Sequence, residues 1–336
     1  LTAVFDGHND ALGSLQKDDA APESFLTGLP ERQLDLERTR AGGFAGGLFA
    51  INAPSPEGID DEAGPIDPAA AAVFTLGALG RAHALAAASE GAVAIVTSIE
   101  ELDRARADEA LAVVLHLEGA EAIDAGLAAL DAWHAAGVRS IGLVWSRPSA
   151  FGHGVPFRFP SSPDTGPGLT VAGRALVRRC AELRMAVDVS HLNAAGFEDV
   201  ARLDCAPVIA SHSACHALCA ASRNLTDEQL RTIAASDGIV GIVFTPPFVR
   251  EDGRNDPDTP LSVIVAHVRH AVDVAGIDHV GLGSDFDGAP ISHALADVTA
   301  LPRLLDALRD AGFTAAEVDQ IAWSNWRRVL SAAWGA

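Results

Sequence analysis

Eight short runs rich in Val, Ile, Leu, Ala and Gly punctuate the chain. They are Val4–His8, Gly47–Ile51, Ala112–Leu117, Ser140–Trp145, Ala186–Ser190, Pro207–Ser211, Ile239–Phe244 and His279–Ser284. Most are continuously apolar rather than alternating, as in parallel strands covered on both faces. Between them lie Ala-rich stretches with helical character: Pro68–Ser89, Ala120–Ala136, Val171–Met185, Thr226–Ser236 and Leu261–Ala275. Thr226 with Gln229, and Thr314 with Glu317, have the spacing of a capping box that opens a helix. Eight strand–loop–helix units predict an α/β fold, a (β/α)₈ TIM barrel. We expect one domain over residues 1–336, finished by C-terminal helices. A ninth run, Val93–Thr97, reads as an accessory segment because it offers no chemistry at its end. Two loops rich in Pro and Gly, Ser146–Gly168 and Thr245–Pro260, are expected to be lid or specificity elements.

In such a barrel the reactive groups sit where strands stop. The first run ends in His8 and Asp10, which share a side of the strand end. The third ends in Glu118, the fifth in His191, the sixth in His212 and the eighth in Asp285. The second and seventh end in Asn52 and Thr245, which are not ligand types. Three imidazoles and three carboxylates on one rim would repel and desolvate one another unless something neutralised them. Metal is the simplest answer. A single catalytic zinc needs about three protein ligands. Five remain here once one carboxylate is kept as a base, so the set predicts two ions. Glu118 is the expected bridge, and Asp285 the general base toward a metal-held water. Asp6 and His116 lie two residues before His8 and Glu118; we expect them near each other beneath the metals, with Asp6 supporting a ligand.

Composition narrows the partners. The 336 residues carry a formal charge of −21, which disfavours nucleic acid. No uninterrupted apolar run reaches ~18 residues, so no membrane span is expected. Cys180, Cys205, Cys215 and Cys219 are sparse and form no Cys-x-x-Cys pair, which points to reduced thiols. With no signal visible, a cytoplasmic protein is expected. The chain starts at Leu1 without Met, so a removed N-terminal signal stays open.

Six ordered stretches then carry a resemblance. They are Asp6-Gly7-His8-Asn9-Asp10, Leu117-Glu118-Gly119, Asp188-Val189-Ser190-His191, Ser211-His212-Ser213, Ser222-Arg223-Asn224 and Gly283-Ser284-Asp285-Phe286-Asp287-Gly288. Together they resemble the membrane (renal) dipeptidase family of zinc peptidases, over essentially the whole chain. The resemblance implies a metal-dependent hydrolase barrel with two Zn²⁺ per chain. Its substrate would be a small dipeptide, L-L or L-D, cleaved by a metal-bridging hydroxide. It implies His8, Asp10 and Glu118 on one zinc, and Glu118, His191 and His212 on the other. Arg223 would hold the substrate's terminal carboxylate, which suits a planar guanidinium. A homodimer is compatible with the family.

One departure stands out. The family's His at the end of the fourth run, which binds substrate, is replaced by Trp145. Indole donates one hydrogen bond but shuttles no proton. Either His153 folds back from the following loop to supply an imidazole, or the substrate differs. Two alternatives therefore accompany the dipeptidase. One is a binuclear hydrolase of another amide or a lactone on the same fold. The other is a silent barrel that binds metal or peptide. Asp287 is expected to orient its loop, and His216 to be structural.

Overall fold

Each apolar run becomes a parallel strand in the computed structural model, which describes residues 1–55, 64–203, 205 and 207–335. The strands are β1 (Val4–Asn9), β2 (Phe44–Ile51), β3 (Val93–Ile95), β4 (Leu111–Glu118), β5 (Val138–Gly142), β6 (Ala186–Asp188), β7 (Val208–Ser213), β8 (Ile239–Ile242) and β9 (Val280–Leu282). β2 pairs with both β1 and β4, and the remaining neighbours follow in order back to β1. The result is a closed ring of eight parallel strands, the TIM barrel that the repeats predicted. The run at Val93 forms β3 but stays outside the ring, paired to Leu111–Val113 at the lower end of β4.

The strands are buried along their length because helices cover the outside while side chains fill the inside. Phe5, Leu48, Val114, Ile209 and Ile239 fill the N-terminal half of the interior. Trp323 and Trp326 close this end: both rings lie about 6 Å from Phe5, and Trp326 Nε1 donates to the Leu282 carbonyl at 3.0 Å. Dispersion contacts of this kind are individually small but numerous. The apolar bottom leaves the polar groups to the opposite rim.

Both predicted capping boxes form, at Thr226/Gln229 and Thr314/Glu317. The helix expected over Ala120–Ala136 is shorter and runs Ala128–Ala135. Two local demands delay it. Glu121 turns toward Arg147 at 2.7 Å, and Leu127 adopts a left-handed conformation at φ +65°. Likewise the run Ser140–Trp145 is strand only to Gly142, so Trp145 stands in the loop beyond. The Pro68–Ala88 helix is long and apolar by composition, and it packs Ala71, Ala78, Leu79, Ala82 and Leu85 inward. All four cysteines are free thiols.

Candidate metal centre

The strand ends bring the expected groups together. Glu118 Oε1 lies 2.8 Å from His191 Nε2, 3.5 Å from His212 Nε2 and 3.6 Å from His8 Nε2. Asp10 Oδ2 is 3.3 Å from His8 Nε2. Ligand atoms of His8, Glu118 and His212 fall within 4.8 Å of one another, and so do those of His8, Asp10 and Asp285. His191 and Asp285 reach the rim from left-handed turns, φ +67° and +65°, which cost a non-glycine residue about 1 kcal/mol or more each. Such turns persist where surrounding contacts hold them.

Metal is a good fit to this donor set. His8 is fully buried, yet neither ring nitrogen has a hydrogen-bond partner. An orphaned buried imidazole is costly unless a ligand completes it. Burial would lower the His8 pKa, but Glu118, Asp10 and Asp285 outweigh it and raise it to about 10. The same crowding works on the carboxylates. Burial would raise Glu118, while His8, His191 and Asn52 hold it well below the usual range. Asp285 goes the other way. Burial lifts it to about 7, with Asp10 and Glu118 adding to the lift against His8 and Arg223.

His191 and His212 are held as neutral rings. Burial first, then Arg223, brings His191 down to about 4; burial and His8 push His212 well below 6.5. Their Nδ1 atoms meet hydroxyls, Ser146 Oγ at 2.8 Å and Ser211 Oγ at 2.9 Å. Ser211 Oγ lies 2.5 Å from Asp188 Oδ2 and donates to that carboxylate. Its lone pair therefore accepts from His212 Nδ1–H, leaving Nε2 free to ligate. Asp188 also accepts the Ser190 and Ser211 backbone N–H groups.

Asn52 and Thr245, the strand ends without ligand type, both serve the site. Asn52 Nδ2 donates to Glu118 Oε2 at 2.8 Å, and Thr245 Oγ1 donates to Asp285 Oδ2 at 3.3 Å. Arg147 backs Asn52. Its guanidinium donates to Glu121 Oε1, Ser55 Oγ, the Ala53 carbonyl and Asn52 Oδ1. Asp6 and His116 have separate partners: Asp6 accepts from Ser284 N and Oγ, and His116 lies between Ser140 Oγ and Asp188. Asp287 holds its loop through Gln33, and His216 Nε2 meets the Ser161 carbonyl at 3.0 Å.

Above the rim lies a cavity of about 520 Å³. Glu118, Asp10, His191, His212 and Asp285 form its polar floor, and Trp145, Phe157 and Phe248 form part of its wall. The two long loops supply Phe157 and Phe248, whose rings stack at 5.6 Å. Trp145 packs 5.8 Å from the His191 ring and 5.0 Å from the Arg147 guanidinium. His153 is not on the wall. Backbone bridges to Pro148, and from Gly154 to Leu192, fix its segment elsewhere, and its carbonyl takes the Asn193 N–H. Arg223 is buried, with one terminal nitrogen on the His212 carbonyl at 2.6 Å and its Nε without a partner.

The model of the membrane dipeptidase family, peptidase family M19, matches residues 2–334. A metallo peptidase from Rhodobacter sphaeroides, solved with a phosphinate mimic of the dipeptide L-Ala-D-Ala, is 43% identical. It superposes with a TM-score of 0.96, covering 99% of both chains. A solved metallo peptidase described as dipeptidase AC is 46% identical, with the same TM-score and the same coverage of both chains. An uncharacterized Klebsiella pneumoniae protein in the pqqA 5′ region is 48% identical over 250 residues, 74% of this chain and 92% of that one.

Proposed function

We propose a reaction from one premise: the chain belongs to the membrane dipeptidase family of metallopeptidases. It hydrolyses small dipeptides, L-L or L-D, at a centre holding two zinc ions. The observation that carries this reading is the set of three Nε2 atoms within 3.6 Å of one Glu118 oxygen, all of them buried with that carboxylate. His8, Asp10 and Glu118 would hold one ion; Glu118, His191 and His212 would hold the other. Ions held there would make a water nucleophilic near neutral pH and polarise the scissile carbonyl.

The chain's own residues do the rest. Arg223 is desolvated and its Nε lacks a partner, so a substrate carboxylate gains a charge-assisted contact and relieves a buried cation. Holding that end also measures substrate length, because the distance from Arg223 to the metal floor is fixed. Asp285 takes the proton from the attacking water and returns it to the leaving amine. Thr245 orients the carboxyl oxygen that does so. Phe157, Phe248 and Trp145 keep bulk water from the reacting atoms. The phosphinate on the Rhodobacter sphaeroides relative mimics L-Ala-D-Ala, which favours acceptance of a D-residue at the C-terminal position.

A second reading rests on Trp145, which occupies the wall where the family places a substrate-binding His. A hydrolase of another amide or a lactone would tolerate that exchange. The burial of Arg223 beside the floor argues for a free carboxylate on the substrate, and so for the dipeptide. The test is hydrolysis of paired L-L and L-D dipeptides by zinc-loaded protein, with Glu118→Gln and Arg223→Lys variants. Zinc-dependent cleavage that collapses in Glu118→Gln and shows a KM about tenfold or more higher in Arg223→Lys is expected. Two zinc ions per chain with no dipeptide cleaved would move the assignment to the other hydrolase.

A further inference from the structure

Lys17 is the only lysine among the 24 Lys and Arg residues of the chain. It ends the helix Ala11–Lys17, which starts directly after Asp10. Its side chain lines the same cavity as Asp10, Glu118 and Asp285. Two acids follow it in sequence, yet neither serves it. Asp18 is paired with Arg32 and Asp19 with Arg81. Among the described residues no carboxylate stands within ion-pair distance of the Lys17 ammonium. The rim of the cavity thus carries an exposed cation with no counter-ion among the described residues, on a chain whose formal charge is −21.

Among the described residues no other group on that wall does the same work. Arg147 spends its donors on Glu121, Ser55, Ala53 and Asn52. The floor carboxylates face the histidines. Most of the remaining wall is apolar: Pro54, Trp145, Phe157, Phe248, Ala289 and Pro290. An anionic group on a ligand, beyond the terminal carboxylate assigned to Arg223, has one cation to meet. A lysine suits that task because its point charge sits on a flexible four-carbon stem, whereas the paired arginines use fixed forks. The acidic surface would repel a substrate of net negative charge at a distance, so an uncompensated cation at the rim changes capture as well as fit.

We infer that Lys17 makes the cavity select dipeptides that carry an acidic side chain, by pairing with the side-chain carboxylate. This rests on the dipeptidase reading above. The test compares kcat/KM of the zinc-loaded full chain for dipeptides containing Asp or Glu at either position against the matching Ala dipeptides. In Lys17→Met the acidic-over-neutral ratio falls about tenfold, carried by KM. Lys17→Arg restores most of it, and added salt lowers it in the wild type but not in Lys17→Met. As a second measurement, an amine-selective acylating reagent modifies Lys17 as the sole ε-amine, and an acidic dipeptide slows that modification more than a neutral one. Cleavage of dipeptides with a ratio unchanged in Lys17→Met overturns the inference and leaves the dipeptidase intact. Failure to cleave any dipeptide, with no protection of Lys17, overturns both.

Discussion

Replacing Asn52 by Leu isolates the support of the Glu118 carboxylate from the carboxylate itself. Leu keeps the branched heavy-atom skeleton and removes the amide, so no cavity accompanies the change. Glu118 Oε2 then loses the donor at 2.8 Å and stays buried. A hydrogen bond to a charged acceptor contributes about 1.5–3 kcal/mol. Loss of a group that orients a metal ligand costs about 10–100-fold in affinity, or about 1.4–2.7 kcal/mol. The two routes agree. Arg147 should be little disturbed, because the contact it loses is its longest, 3.5 Å, while those to Glu121, Ser55 and Ala53 remain. The assay is zinc competition against a chromogenic chelator at fixed pH, with thermal midpoints of the chelator-stripped protein in parallel. We expect affinity to drop by about one to two orders of magnitude while the stripped midpoint moves little. Affinity within about twofold of wild type would refute the claim that Asn52 sets the Glu118 carboxylate.

Three further outcomes follow from the same geometry. With His8 raised to about 10 by Glu118, Asp10 and Asp285 against its burial, metal must displace its proton; calorimetry in buffers of different ionisation enthalpy should find about one proton released per chain at pH 8, and none released would contradict the charged ring. Gly288→Ala would place a Cβ 2.1 Å from Asp10 Oδ2 and 2.6 Å from Asp285 Oδ1, so both carboxylates must move and zinc binding should weaken by more than tenfold, read by the same chelator competition. Asp35 caps the Leu36–Gly42 helix through Arg38 N and also holds Arg38 Nε; burial would raise its pKa, but these contacts and the Leu29 N–H lower it below 3.8. Asp35→Ala should therefore cost about 1–2 kcal/mol above pH 4, and the gap to wild type should close as pH falls through the depressed value; a gap independent of pH in urea titrations would refute the charge's part in it.

What the sequence could not show follows from how each residue gets its role. His8, Asp10, Glu118, His191, His212 and Asp285 were legible because the barrel puts every strand end on one rim, so chain position alone predicts convergence. Asn52 and Thr245 occupy the same rim and were passed over for lacking a ligand atom. Their chemistry is to donate to the carboxylates of the site, Glu118 and Asp285, and strand-end position with a hydroxyl or amide was a usable signal. Asp188, Ser211 and Ser146 are different. The carboxylate meets the hydroxyl only because β6 and β7 pair Val187 with Val208 and Asp188 with Ile209, a register no local pattern encodes. Trp145 and His153 fell to loop geometry: the strand stops at Gly142, and main-chain bridges around His153 decide which of them lines the cavity. Lys17 sits at the other extreme. Its singularity is visible by counting, but a lone lysine means nothing until Arg32 and Arg81 are seen to take its neighbouring acids. The convergence of the rim's imidazoles and carboxylates is specified by fold class, their orientation by strand register, and the charge left open at the cavity mouth by which acids other parts of the chain take up.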